Sequence, residues 1–427
     1  MSQNFSSDFS LDPKIKLLLD IVGKFNSNID PARLLHDIIE STKAMVEAEA
    51  SSLFLLTEDG NSLELTIPTG PATAQVSGRK IPADHGISGW VVQHQQPVII
   101  HDVQKDARFK GELLNNPSFQ SKNMICVPLN NNKGLTIGVL QVINIDETFL
   151  TEQMLVLVQT LANQAATALE NVKVKQQQLA SELLNKELEV ATQIQAGFFP
   201  ASLPQIDGYE VAGCSIPAKD VGGDYYDVIP QFDHHRCGFV VADVTGKGVP
   251  ASLLMATMRA SLRANIQNNP NDIVQALRHV NRDIFRDSPA DKFITSIYCN
   301  LDYQHHEISY VNSGHNTPYL IRASEKRIEE LNQGGLMLGI MEEIDLPKAT
   351  LNMNTGDILV LFSDGVTEAT NPASELYSEE RFEDWLVEHA HLEPAEMKKA
   401  LLNTLHSYAA GNPQSDDITF IILKRTR

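Results

Sequence analysis

From residue 150 to residue 196 the chain contains neither proline nor glycine. A stretch that long without a helix breaker reads as one continuous helix over 150–198, stopped by Gly197, Pro200 and Pro204. A helix of this length cannot be wrapped by one small core, so it forces the chain into a module before it and a module after it. Its first part, 150–170, is apolar and closes the first module. From 173 to 196 Gln, Glu, Lys, Leu and Ala dominate. Val172, Leu179, Leu183, Val190 and Ile194 fall near a heptad seam that Gln176 and Lys186 interrupt. A solvated single helix fits that pattern, and so does a parallel dimeric connector, which we prefer.

At 427 residues, length suggests two or three domains. Net charge is −20, from 54 acidic and 34 basic residues, which argues against a nucleic-acid binder or a polybasic membrane anchor. No apolar run reaches the 18 or so residues that a membrane span requires. The start, MSQNFSSDFSLDPK, has no basic and apolar leader pattern. Cys126, Cys214, Cys237 and Cys299 form no CxxC pair and are expected to be buried reduced thiols, so a cytoplasmic protein is expected.

The first module reads as helices over 12–26 and 30–48, with strands over 51–57 and 62–67 around a turn at Glu58-Asp59-Gly60-Asn61. A short helix follows over 86–95, then strands over 97–100, 123–130 and 136–145. Past residue 208 the pattern changes. Strands are expected at Tyr209–Pro217, Tyr225–Ile229, Gly238–Ala242, Thr295–Leu301, Glu307–Asn312, Pro318–Arg322, Ile358–Phe362 and Ile418–Leu423. Helices are expected at about 249–267, 270–287, 379–390 and 394–408. That order suggests two sheets packed face to face and covered by helices, within an α+β or α/β multidomain chain.

Short segments in this second half place aspartates at strand ends: Gly-Gly-Asp224, Val-Val-Ala-Asp243, Leu-Phe-Ser-Asp364 and Ser-Asp416-Asp417. Singly, each could be a turn former or a helix cap. Carboxylates brought from several strand ends to one place repel one another unless a cation lies between them, so together they suggest a Mg²⁺ or Mn²⁺ site and a metal-dependent hydrolase. The loop Val244-Thr245-Gly246-Lys247-Gly248 lacks the spacing of a nucleoside-triphosphate P-loop. Lys219 is a candidate contact for substrate phosphate. His315 could serve a leaving group or make a structural hydrogen bond, and the second is the default.

Two resemblances sharpen this reading. Asp84-His85-Gly86-Ile87-Ser88-Gly89-Trp90, Gln96-Pro97-Val98, Met124-Ile125-Cys126-Val127-Pro128-Leu129 and Ile137-Gly138-Val139-Leu140-Gln141-Val142 resemble the GAF domain. A GAF domain implies a small-molecule or protein signal. The lysine of the cyclic-nucleotide signature is missing after Asn144, so that ligand is not implied. Asp220-Val221-Gly222-Gly223-Asp224-Tyr225-Tyr226-Asp227, Ala242-Asp243-Val244-Thr245-Gly246-Lys247-Gly248, Asn312-Ser313-Gly314-His315-Asn316-Thr317-Pro318, Phe362-Ser363-Asp364-Gly365-Val366-Thr367-Glu368 and Asp416-Asp417-Ile418-Thr419 resemble, in order, the SpoIIE-like branch of the PPM-class serine/threonine phosphatases. The arrangement resembles stress-response regulators of the RsbU and RsbP kind.

The resemblance implies a GAF sensor over 12–170, a helical, coiled-coil-like linker over 171–200 and a phosphatase over 201–427. It implies two Mg²⁺ or Mn²⁺ ions held by Asp224, Asp243 as the bridging carboxylate, the Val244 carbonyl, Asp364 and Asp416, with Asp417 as the fallback for the last position. The implied substrate is a phosphoserine or phosphothreonine protein, of the STAS type of anti-sigma-factor antagonist. The chain is expected to be a homodimer through its GAF domain and linker helices, with neither nucleic acid nor membrane as partner. The alternative is a non-enzymatic signalling scaffold with a phosphatase fold.

Overall fold

The computed structural model describes residues 31–71, 78–110, 119–231, 235–289 and 291–427. The chain divides into two compact units, at Glu182 and Leu183. The helix expected over 12–26 and His234 lie outside the described residues.

The first unit has helix α1 (Pro31–Met45), strands β1 (Ala50–Leu56), β2 (Ser62–Thr69) and β3 (Lys80–Pro82), helix α2 (Gly86–His94), and strands β4 (Val98–Ile100), β5 (Met124–Asn130) and β6 (Thr136–Ile143). The six strands form one sheet in the order β3-β2-β1-β6-β5-β4. One sheet face packs Leu53, Ile125, Val127, Leu140 and Val142 against α1 and the first turns of helix α3 (Glu152–Ala196). The other face packs Phe54, Met124, Cys126 and Val139 against Ile87 and Val91 of α2. Both faces are covered, so β5 and β6 read as near-continuous apolar runs without polar alternation. Asn144 is used structurally: its side chain accepts from Lys122 N at 2.7 Å and donates to Glu49 and to the Gln120 carbonyl.

The second unit contains strands β7 (Tyr209–Ile216), β8 (Tyr225–Gln231) and β9 (Arg236–Val244), helices α4 (Val249–Asn268) and α5 (Ile273–Asp287), and strands β10 (Ile294–Asp302), β11 (Glu307–Ser313), β12 (Tyr319–Arg322), β13 (Arg327–Glu330), β14 (Ala349–Asn352) and β15 (Ile358–Phe362). Helices α6 (Glu379–His389) and α7 (Pro394–Ala409) and strand β16 (Ile418–Arg425) complete it. Two five-stranded antiparallel sheets result, in the orders β14-β11-β10-β9-β8 and β13-β12-β15-β16-β7.

Side-chain alternation builds three apolar layers from these sheets. Phe239 and Val241 of β9 meet Leu359 and Leu361 of β15 and Ile421 and Leu423 of β16 between the sheets. Val240, Ala242 and Val244 point the other way, into Met255, Met258 and Leu262 of α4 and Leu277 and Val280 of α5. Ile358, Val360 and Phe362 point outward onto Phe382 and Trp385 of α6 and Leu401 of α7. Every residue of Ile358–Phe362 is therefore buried, which is why that strand reads as an unbroken apolar run. The strands that the sequence does not announce are β3, β13 and β14. All are short edge strands, and β13 is the polar segment Arg327-Ile328-Glu329-Glu330, whose pairing with β12 rather than its composition makes it a strand.

Candidate active site

Strand register carries the carboxylates to one end of the sandwich. Tyr225 of β8 pairs with Ala242 of β9, so the next step of the same ladder sets Asp224 opposite Asp243. Asp243 is paired on its other side with Thr295 of β10. In the second sheet Phe362 pairs with Phe420, which puts Asp364 and Asp416 just beyond the paired ends of β15 and β16. The charges of Asp364 and Asp416 act on Asp243, so the two sheets deliver their carboxylates to a common region.

These groups are out of balance with their surroundings. Asp224 is 3% exposed, and its Oδ2 is buried without a hydrogen-bond partner. Burial, reinforced by the Asp243 charge, raises the Asp224 carboxyl well above the ordinary range. Burial and the charges of Asp364 and Asp416 push Asp243 up to about 7. Asp364 is also raised, by burial and then by Asp416 and Glu368. A divalent cation is what such a donor set fits: hard oxygen ligands, one of them orphaned, with like charges that only a cation reconciles. Among the described residues, however, no three carboxylate, imidazole or thiol groups form a closed metal cage. The side chains define a common negative region rather than a finished coordination shell.

Asp416 and Asp417, which the sequence leaves in competition, have different surroundings. Asp417 accepts from three backbone N–H groups: Ala218 at 2.7 Å, Gly223 at 2.8 Å and Asp224 at 3.2 Å. Its carboxylate therefore holds the 218–224 loop. A Cβ at Gly222 would lie 2.3 Å from Asp417 Oδ2, so only glycine fits there. Gly365 is fixed in the same way, since a Cβ there would lie 2.0 Å from the Asp417 carbonyl oxygen. Asp416 instead accepts from Asp417 N with Oδ1 at 2.9 Å and turns its other oxygen to Lys247, whose Nζ donates to Oδ2 at 2.8 Å and to the Ser415 carbonyl at 2.7 Å.

Three further residues shape the site without being legible as site residues from spacing. Gln195, at the end of α3, makes a reciprocal amide pair with Gly222, donating to its carbonyl at 2.7 Å and accepting from its N–H at 3.0 Å. Thr192 donates to the Asp220 carbonyl at 2.7 Å. The end of the long helix thus grips the loop that precedes Asp224. Asp227 is fully buried and accepts from Tyr225 Oη, from Arg263 Nε at 2.6 Å and Nη2 at 2.9 Å, and from Val228 N at 2.9 Å. That cluster pins β8 to α4. The quoted motif contained Asp227, but its fourfold use needs Arg263, which lies far along the chain.

His315 is buried, its Nδ1 2.8 Å from Thr295 Oγ1, and burial pushes it down to about 4. It is a neutral brace behind Asp243, in keeping with the structural default. Lys219 is exposed and makes no hydrogen bond or ion pair with the described residues. The four cysteines are free and buried. No helix among the described residues is long and apolar enough to cross a membrane.

Comparison with known proteins agrees with this fold. The model of the Stage II sporulation protein E (SpoIIE) family matches residues 233–426, and the GAF domain model matches residues 30–169. Phosphoserine phosphatase RsbU of Bacillus subtilis is 29% identical over 242 residues, spanning 57% of this chain and 71% of RsbU. Phosphoserine phosphatase RsbP of the same organism is 27% identical over 245 residues, 56% of this chain and 57% of RsbP. The SiaA-PP2C domain of Pseudomonas aeruginosa superposes with a TM-score of 0.51 at 22% identity, covering 58% of this chain and 99% of that domain, and so shares the fold. The sandwich of two antiparallel sheets is therefore of the PP2C fold. More narrowly, the chain carries, in that order, stretches matched by the GAF and SpoIIE family models, and it is similar to the phosphoserine phosphatases RsbU and RsbP.

Proposed function

We propose that this chain is a Mg²⁺- or Mn²⁺-dependent phosphatase acting on a phosphoserine or phosphothreonine protein, and that its substrate is a phosphorylated STAS-type antagonist of an anti-sigma factor. The observation that carries the reading is the buried, unpartnered Oδ2 of Asp224 beside an Asp243 whose carboxyl is pushed up to about 7. Asp224, Asp243, the Val244 carbonyl, Asp364 and Asp416 would hold two ions. Asp417 is the fallback, disfavoured because three backbone N–H groups already hold its oxygens, against one on Asp416. Bound ions would acidify a water and neutralise charge on the phosphoryl oxygens.

The chain's own residues do the rest. Asp417 and Gln195 fix the 218–224 loop and so aim Asp224. Thr295 and neutral His315 brace the strand that carries Asp243. Partial burial of the cluster strengthens each charge interaction within it. The cysteines are buried, and burial pushes up the Cys214 and Cys237 thiols, so neither of these two is poised as a nucleophile.

Residues 12–170 would sense a small-molecule or protein signal, and 171–200 would pass it to 201–427. The grip of Gln195 and Thr192 supports that route. At about 100° per residue, Leu183, Val190 and Ile194 lie roughly opposite those two side chains, and all three are exposed. That apolar stripe supports a homodimer through the linker. The test is release of phosphate from a phosphorylated STAS protein with and without Mn²⁺. Activity should require the metal, and Asp243→Asn should lose at least about a hundredfold of it, the scale set by removing a major electrostatic contributor. Full activity in that variant would refute the metal-bridging role, and absence of both turnover and Mn²⁺ binding in the parent would leave the scaffold reading.

A further inference from the structure

The carboxylate cluster keeps one ammonium group at its mouth. Lys247 is the middle residue of Gly246-Lys247-Gly248, whose glycines sit at φ +97° and +79°. These left-handed positions let the chain leave β9 and enter α4 with the lysine side chain projecting between them. Its Nζ touches Asp416 Oδ2 and the Ser415 carbonyl, yet the side chain is 43% exposed. One side of the ammonium therefore faces the protein and the other faces solvent. Of its three N–H donors two are engaged, leaving one for an incoming group. Asp416, Asp417 and Asp364 all act on its charge, which places it within the field of the cluster.

A second cation approaches the same loop. A Cβ built on Gly246 would come within 3.5 Å of Lys292 Nζ. Among the described residues, the one carboxylate within 4.0 Å of that ammonium is the exposed Asp291, at 3.6 Å. Lys219, the lysine singled out by sequence, has no comparable tie to the cluster.

Charge balance gives these lysines a task. Asp224, Asp243, Asp364 and Asp416 together carry four negative charges, and two divalent ions would only balance them. A phosphate dianion entering such a site gains no net attraction from it beyond direct contact with the ions. A flexible, solvent-facing cation at the rim supplies the missing attraction and a donor for a phosphoryl oxygen.

We propose that Lys247 is a direct ligand of the substrate's phosphoryl group, with Lys292 as a second, outer cation on the same approach. This rests on the phosphatase reading above and adds the residue that recognises the phosphate. Lys247 stays protonated throughout and binds through its N–H donors, so it neither gives up nor takes a proton. Because its stem sits on a glycine-flanked loop, it can exchange the Asp416 carboxylate for phosphate without moving β9 or α4.

The test uses the full chain with Mn²⁺ and compares wild type, Lys247→Ala, Lys247→Arg and Lys292→Ala. Three quantities are read: KM and kcat on a phosphoserine protein, inhibition by inorganic phosphate, and Mn²⁺ affinity by calorimetry. In Lys247→Ala, KM and the inhibition constant for phosphate should rise together by about tenfold, the scale of one charge-assisted hydrogen bond. Its kcat should change less and its Mn²⁺ affinity should not weaken, while Lys247→Arg recovers most of the loss. Lys292→Ala should shift KM by a smaller factor, and more at low salt. Unchanged phosphate inhibition in Lys247→Ala overturns the proposal, as does a loss that weaker Mn²⁺ binding accounts for. If the wild type shows no turnover, the phosphatase reading fails by itself. Calorimetric binding of inorganic phosphate to the Mn²⁺-loaded wild type and Lys247→Ala then decides the role of Lys247.

Discussion

Asp243 concentrates the conflict that the site imposes on the fold. Without a cation, its carboxyl and those of Asp224 and Asp364 hold protons to higher pH in the folded chain than in the unfolded one. Between about pH 4, where an ordinary Asp loses its proton, and about 7, the folded state is the better proton binder. Stability contributed by these groups is thus greatest at low pH and is lost as pH rises through 7. In chelator, the wild-type melting temperature should fall from pH 5 to pH 8 more steeply than that of Asp243→Asn, which has no such proton to release. The variant should be the more stable of the two at pH 8, by no more than a few kcal/mol. Parallel melting curves would remove the electrostatic basis of the site. Mn²⁺ should reverse the wild-type trend, because it binds the deprotonated carboxylates.

Asp227 poses the opposite case at the same scale, a buried carboxylate that is fully matched. Replacing it with Ala would strand the Arg263 guanidinium and the Tyr225 hydroxyl. Arg263 is partly exposed, so the cost should fall near the low end for a broken buried pair, about 3 kcal/mol in urea unfolding. A change below about 1 kcal/mol would show that water replaces the carboxylate easily.

Elements were legible wherever both faces of a strand are buried or a helix has one continuous apolar face. Ile358–Phe362 is both the expected and the observed strand, and α4 to α7 fall within a few residues of expectation. The short edge strands β13 and β14 were not legible, because pairing defines them more than composition does. The strand-end placement of Asp224, Asp243, Asp364 and Asp416 was readable from their flanking residues. The division of labour between Asp416 and Asp417 was not, since it depends on which carboxylate meets the N–H groups of residues 218, 223 and 224 in a distant loop. Gln195 was hidden for the same reason: within a Gln-rich helix nothing marks the one glutamine that finds a backbone partner. Gln195→Ala should weaken Mn²⁺ binding and lower activity several-fold while the unfolding midpoint of the catalytic unit moves little. Equal Mn²⁺ isotherms for the two proteins would assign Gln195 a purely structural role.

At the scale of the whole chain, α3 is the element shared by both compact units. Its exposed stripe of Leu183, Val190 and Ile194 should associate with a second copy. Leu183→Asp combined with Val190→Asp should therefore halve the mass measured by light scattering at micromolar concentration. A mass that stays at the wild-type value would place any self-association elsewhere. Deleting residues 1–170 should alter the phosphatase rate, and an unaltered rate would reject control by the GAF domain.

The amide pair between Gln195 and Gly222 uses main-chain atoms only on the loop side. The latch therefore contacts no loop side chain, although position 222 itself must stay glycine, and it is strict about rotation of the helix that carries it. One residue inserted into α3 upstream of Thr192 would leave the latch closed and turn everything before it by about 100°. Seven inserted residues would turn it by only about 20°. Activity across a series of such insertions should then oscillate with insert length, as in a shaft whose output depends on angular phase and not on distance.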